Sequence, residues 1–163
     1  MDNFYEQLAV THKTGMYRLL NACVYFFCVL AILSMAVIPV FILSLLIAAV
    51  CFWGKKKLYV EYEYAFTNGE IDIDKIVEMK KRKRVMNFQI KEVELLALEN
   101  SYYVKDFLSV PNDIVSCYPK TTDKEIYVAM ITGGNKRVKL RFTPDEEFLN
   151  LCFKYNPRSV KKS

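Results

Sequence analysis

Lys80, Lys81, Arg82, Lys83 and Arg84 form the densest run of charge in the chain. Arg137, Lys139 and Arg141 alternate with Val138, Leu140 and Phe142, a spacing that puts three cations on one face of a strand. Ammonium and guanidinium groups in such patterns attract anions, and each Lys or Arg near an anionic lipid surface contributes about 1 kcal/mol. The bland alternatives are a solvated loop and a wet sheet face. Charge density by itself selects no head group, so the run predicts general attraction to an inner leaflet before a specific lipid pocket. These eight residues are the candidate contacts for anionic lipid or a partner.

Residues for other chemistry are sparse. The lone His12 precedes a long apolar stretch, so the rest of the chain can build neither a histidine triad nor a histidine metal cluster. Asp72 and Asp74 stand two apart on one strand face and could share a cation, but a polar sheet surface explains them with fewer assumptions. Asn68-Gly69 and Gly133-Gly134-Asn135 lack phosphate-loop spacing. Cysteines at 23, 28, 51, 117 and 152 form no CxxC pair and read as reduced, packed thiols. Acylation or redox sensing at Cys23, Cys28 or Cys51 would rest on a generic thiol alone. The expectation is therefore no catalytic, cofactor or metal residues, and no enzyme.

The elements that must hold these residues begin with residues 19–53, which contain no Asp, Glu, Lys, Arg or His. A span needs about 20 apolar residues; the stretch is too long for one and barely long enough for two. Pro39 disfavours helix at Ile38, which places a turn near residues 34–39 and predicts helices over 16–35 and 39–53, the second short. Lys13 and Arg18 precede the stretch and Lys55, Lys56 and Lys57 follow it, while the turn is uncharged. Because cations near span ends stay on the cytoplasmic side, a hairpin with both termini cytoplasmic fits better than one kinked span. A cleaved signal peptide fits poorly, since its apolar core is roughly 7 to 15 residues. Before the stretch, Phe4, Leu8 and Thr11 share a helical face that would suit an interfacial segment, with a frayed terminus as the equal alternative.

The charge of +5 is uneven: residues 1–57 carry five Lys or Arg against two acids, and residues 58–163 carry eighteen against sixteen. The second part is near neutral, which argues against nucleic acid. Its pattern is mostly strand. Tyr62, Tyr64 and Phe66 alternate with Glu61, Glu63 and Ala65, and Asn68-Gly69 then turns the chain into Ile71 and Ile73, a hairpin over residues 58–79. Met86, Phe88 and Ile90 share a face, and a phase slip at Lys91-Glu92 predicts a bulge or bend. Tyr102 and Val104 read as extended, residues 114–118 as a short strand, and residues 126–132 and 136–142 as a second hairpin. Thr143-Pro144-Asp145-Glu146 is a capping box with Thr143 as N-cap, starting a helix over 144–156 that aligns Phe148, Leu151, Cys152 and Tyr155.

Strands closed by one helix resemble a pleckstrin-homology-like (PH-like) domain, and residues 62–98 resemble the opening of bacterial PH-like domains: a Thr-containing turn, an Ile-x-Ile strand, a basic stretch and an Ile-x-x-Val strand. With the MDNFYEQL start and Lys13-Thr14-Gly15, the chain more closely resembles a family of small Gram-positive bacterial membrane proteins of unknown function. The resemblance implies a membrane-anchored α+β fold: a transmembrane hairpin, then a mostly antiparallel PH-like barrel or sandwich closed by a C-terminal helix. The expected divisions are a cytoplasmic or interfacial segment over 1–15, the hairpin over 16–54, a basic flank at 55–57, the PH-like domain over 58–157 and a basic tail at 158–163. The expected protein is multi-pass in the cell membrane. It acts as a scaffold or adaptor toward a membrane-associated protein or a second copy, or alternatively senses anionic lipid through residues 80–84.

Overall fold

The computed structural model of the chain describes residues 3–11, 14–58, 60–77, 81–107, 110–133 and 136–161. It divides into two compact units, residues 1–10 with 61–163, and residues 11–60 between them.

The inserted unit is a helical hairpin. Helix α1 (Gly15–Leu33) starts at Thr14, whose hydroxyl accepts the Tyr17 N–H, and ends at Ser34, whose N–H and hydroxyl both donate to the Leu30 carbonyl at 3.0 and 2.7 Å. Helix α2 (Ile38–Leu58) carries Pro39 in its first turn, where no backbone donor is needed. The turn is thus residues 34–37, and the second helix is not short: its 21 residues extend through the lysines to roughly 32 Å. Ala31, Ser44 and Ala48 are buried between the helices, small enough for close approach, and the Lys55 ammonium donates to the Asn21 side chain at 3.0 Å. Tyr25, Phe26, Ile32, Leu33, Leu46 and Trp53 point outward and exposed. Both helices are long and apolar enough to cross a membrane.

The other unit packs two four-stranded sheets and a helix. The first sheet runs in the order β1 (Phe4–Ala9), β2 (Val60–Thr67), β3 (Glu70–Val77), β4 (Lys81–Gln89). Here the N-terminal segment departs from the helical expectation. It is a strand, antiparallel to β2 with Phe4 opposite Thr67 and Ala9 opposite Tyr62. Tyr5, Gln7 and Ala9 face inward with period two, and the buried Gln7 amide donates to the Thr143 carbonyl at 2.9 Å and accepts the Asp145 N–H at 2.8 Å. That burial of a polar side chain is satisfied only by a distant part of the chain. Asn68 and Gly69 both take positive φ (51° and 99°), as a type I′ turn requires. β1 to β4 form an antiparallel meander in which the Asn68-Gly69 turn joins β2 to β3.

A 3-10 turn at Ile90–Glu92, where the phase slip was expected, carries the chain into the second sheet. Its order is β5 (Val93–Leu98), β7 (Tyr127–Gly133), β8 (Lys136–Phe142), β6 (Asp113–Ser116), antiparallel except that β6 runs parallel to β8. Among the described residues no strand pairing joins the two sheets, so the expected barrel is not closed. Tyr102 and Val104, expected to be extended, lie in a short helix α3 (Tyr102–Lys105), and Val104 and Phe107 cover the outer face of β5 and β7 at Leu95, Ala97, Val128 and Met130.

The main core joins Tyr64, Phe66, Phe142 and Phe148 through edge-on ring contacts 5.6 to 6.2 Å apart, with Ile71, Ile73, Leu96 and Leu140 around them. Helix α4 (Glu146–Tyr155) closes it with Phe148, Leu149 and Cys152. Its N-cap is Asp145, which accepts the Phe148 N–H at 2.9 Å. Thr143, the expected cap, is fully buried and hydrogen-bonded to Tyr64, so the helix starts two residues later than expected. The tail is in part docked: Leu96 exchanges backbone hydrogen bonds with Ser159 and Lys161 at 2.9 and 2.8 Å, covering the β5 edge.

Candidate functional site

The basic run lies on β4, an edge strand, and the pleat sorts it. A bulge between Ile73 and Asp74 shifts the β3–β4 register, so that Asp74 stands opposite Arg84, Lys75 opposite Lys83 and Ile76 opposite Arg82. Arg82 and Arg84 share the outer face with a row of acids. Arg82 donates to Glu63 at 2.6 Å and lies 4.0 Å from Glu6; Arg84 lies 3.3 Å from Asp72 and 3.9 Å from Asp74. The cation that Asp72 and Asp74 share is therefore a guanidinium, and Asn87 also donates to Asp72 at 2.8 Å. Among the described residues no cluster of His, Cys, Asp or Glu has a metal-holding arrangement.

Lys75, Lys81 and Lys83 emerge on the opposite side of the same strands, and no ion pair is formed by any of them among the described residues. Lysines 75 and 83 are direct cross-strand partners, and like charges so placed destabilise a sheet. Edge strands use lysine to repel other strands, which is the structural explanation of this face. Lys80 lies outside the described residues.

The β8 cations are placed on the other sheet. Arg141 forks onto Glu99 with two bonds of 2.7 and 2.8 Å and lies 5.3 Å from the Tyr118 ring; Arg137 takes a backbone bond to Asn112, and Lys139 stands beside Ile114 and Met130. Among the described residues no hydrogen bond or ion pair links this row to β4.

Sequence reasoning singled out Asp72 and Asp74 but missed Glu6 and Glu63, the acids that receive Arg82. Glu61 and Glu63 are 2% and 6% exposed although they face away from the main core. Burial, a hydrogen bond to Glu6 and the Glu6 charge raise the Glu63 carboxyl from 4.5 to about 7, with Arg82 pulling the other way. The alternation of residues 60–67 marks Glu63 as outward-facing, and nothing local marks Glu6 as its neighbour. Burial lifts the thiols of Cys117 and Cys152 to about 11 and about 12, so neither is a thiolate at neutral pH. A groove of about 550 Å³ beside the start of α4 is lined by Asp123, Glu125, Asp145 and Glu146 with Tyr127 and Leu149, opposite in charge to β4.

Two sheets closed by a C-terminal helix, with an apolar hairpin inserted after the first strand, are matched over residues 1–162 by the profile of a family described as bacterial PH-like domain (DUF6106). No curated protein and no solved structure matches the chain. The match covers hairpin and sheets alike, and the chain belongs to this bacterial PH-like domain family.

Proposed function

We propose that this protein is a multi-pass membrane protein whose PH-like domain acts at the cytoplasmic face as a non-enzymatic scaffold or adaptor. The observation that carries the reading is the insertion itself: the apolar hairpin leaves from β1 and returns into β2, so two covalent connections fix the domain to its anchor. A domain joined at two points of its chain to a membrane-spanning hairpin does not leave the bilayer, which suits holding a membrane-associated protein or a second copy. In-cell cross-linking followed by purification from native membranes is expected to recover one reproducible protein partner or a homo-oligomer. Lipid as the sole cross-linked species would remove the adaptor reading.

A second reading, contact with anionic lipid, is favoured by the opposed Lys75 and Lys83. They stand directly opposite each other and form no ion pair among the described residues, and an anionic surface would relieve their repulsion. In nanodiscs containing anionic lipid, each of Lys75, Lys81 and Lys83 is expected to be acylated about fivefold more slowly than in zwitterionic nanodiscs, the equivalent of about 1 kcal/mol per lysine, with the difference lost at high salt. Lys83→Glu is expected to stabilise the domain by about 0.2 to 1 kcal/mol through a new cross-strand pair while abolishing the protection of Lys75 and Lys81. Equal acylation in the two lipids would sink this reading and leave the adaptor reading standing.

A further inference from the structure

The outer face of the first sheet gathers four carboxylates, Glu6 on β1, Glu63 on β2, and Asp72 and Asp74 on β3, around two guanidiniums, Arg82 and Arg84 on β4. Glu61, also buried on this face, adds a further acid to β2. Among the described residues Glu6, Glu63, Asp72 and Asp74 outnumber the two guanidiniums, and the side chain of Glu63, only 8% exposed, sits at the centre of the cluster between Glu6 and Asp74. A half-buried site with more carboxylates than cations takes up a proton or a metal ion to lower its charge. The absence of a metal-holding arrangement among the described residues favours the proton.

We propose that Glu63, Glu6 and Arg82 form a proton-operated latch between the first two strands and the basic edge strand. With Glu63 ionised, its carboxylate accepts from Arg82 at 2.6 Å and ties β4 across β3 to β2. When Glu63 takes a proton from water, it becomes a donor to the Glu6 carboxylate, its charge-assisted hold on the guanidinium is lost, and Arg82, already 58% exposed, keeps the ionised Glu6, at 4.0 Å, as its anionic neighbour on β1. The outer face thus loses one negative charge, and the tie from β4 to β2 loosens, as pH falls. The rise of the Glu63 carboxyl to about 7 places the change within the cellular pH range. The inference does not depend on the adaptor or lipid readings, because it concerns side chains of one sheet.

Carboxyl carbon NMR of the full chain in nanodiscs, with Glu63 assigned by Glu63→Gln, or by Glu63→Asp if the amide variant does not fold, tests it directly on the wild-type protein. The midpoint of Glu63 is expected near 7 instead of 4.5, and exchange of the Arg82 guanidinium protons, corrected for intrinsic pH dependence, is expected to accelerate as pH falls through that midpoint. Glu6→Gln is expected to lower the midpoint by about one unit, and Arg82→Gln to raise it by a similar amount. A Glu63 midpoint near 4.5 overturns the latch. So does a raised midpoint through which Arg82 exchange does not change.

Discussion

Joining Val10 to Glu61 through a turn of about two to four Gly and Ser residues is expected to yield a folded domain with one cooperative unfolding transition, whereas residues 61–163 alone are expected to show none. Ala9 stands opposite Tyr62 across an antiparallel pair, so the ends to be joined already lie side by side. Without β1 the domain loses a strand of six residues and the inward Tyr5, Gln7 and Ala9. The Thr143 carbonyl and the Asp145 N–H lose Gln7, and Asp145 loses the Tyr5 hydroxyl at 2.7 Å. Each buried group left unpaired costs about 1 to 3 kcal/mol, and with the strand hydrogen bonds the loss reaches the scale of a whole domain's stability, about 5 to 15 kcal/mol. Thermal unfolding followed by circular dichroism compares the two proteins. Equal transitions in both would show that β1 is dispensable.

Reporter fusions at the two termini are expected to give the same answer, cytoplasmic for both. If α1 and α2 crossed the bilayer as one kinked span, β1 and β2 would lie on opposite sides, yet these two strands pair along six residues. Direct pairing demands an even number of crossings, and under the proposed topology the basic ends at Arg18 and residues 55–57 keep both on the cytoplasmic side. One terminus reporting inside and the other outside would contradict the strand pairing itself. Both reporting outside would keep the fold, place the lysine face away from the inner leaflet and overturn the lipid reading.

Where structure follows from nearest neighbours, the residues alone were sufficient. Asn68-Gly69 accepts two positive φ values, so the β2–β3 hairpin is written into a dipeptide. Residues 19–53 exclude charge and make an apolar hairpin, and Phe148, Cys152 and Tyr155 align on α4 by helical period. The family resemblance rested on the same local patterns. The features that only tertiary structure decided are those whose partners are far away. The segment Phe4–Ala9 shows a faint helical spacing of Phe4, Leu8 and Thr11; it becomes a strand because β2 offers it a ladder and Gln7 finds its hydrogen bonds 136 and 138 residues on. Thr143 satisfies every local rule for an N-cap, but Tyr64 across the core claims it, and Asp145 caps instead. Five consecutive basic residues look like one patch on paper. Strand geometry splits the described four, Arg82 and Arg84 toward acids on β1, β2 and β3, Lys81 and Lys83 to the other side, because side chains alternate across a pleat and only the partner strand determines which face holds opposite charge.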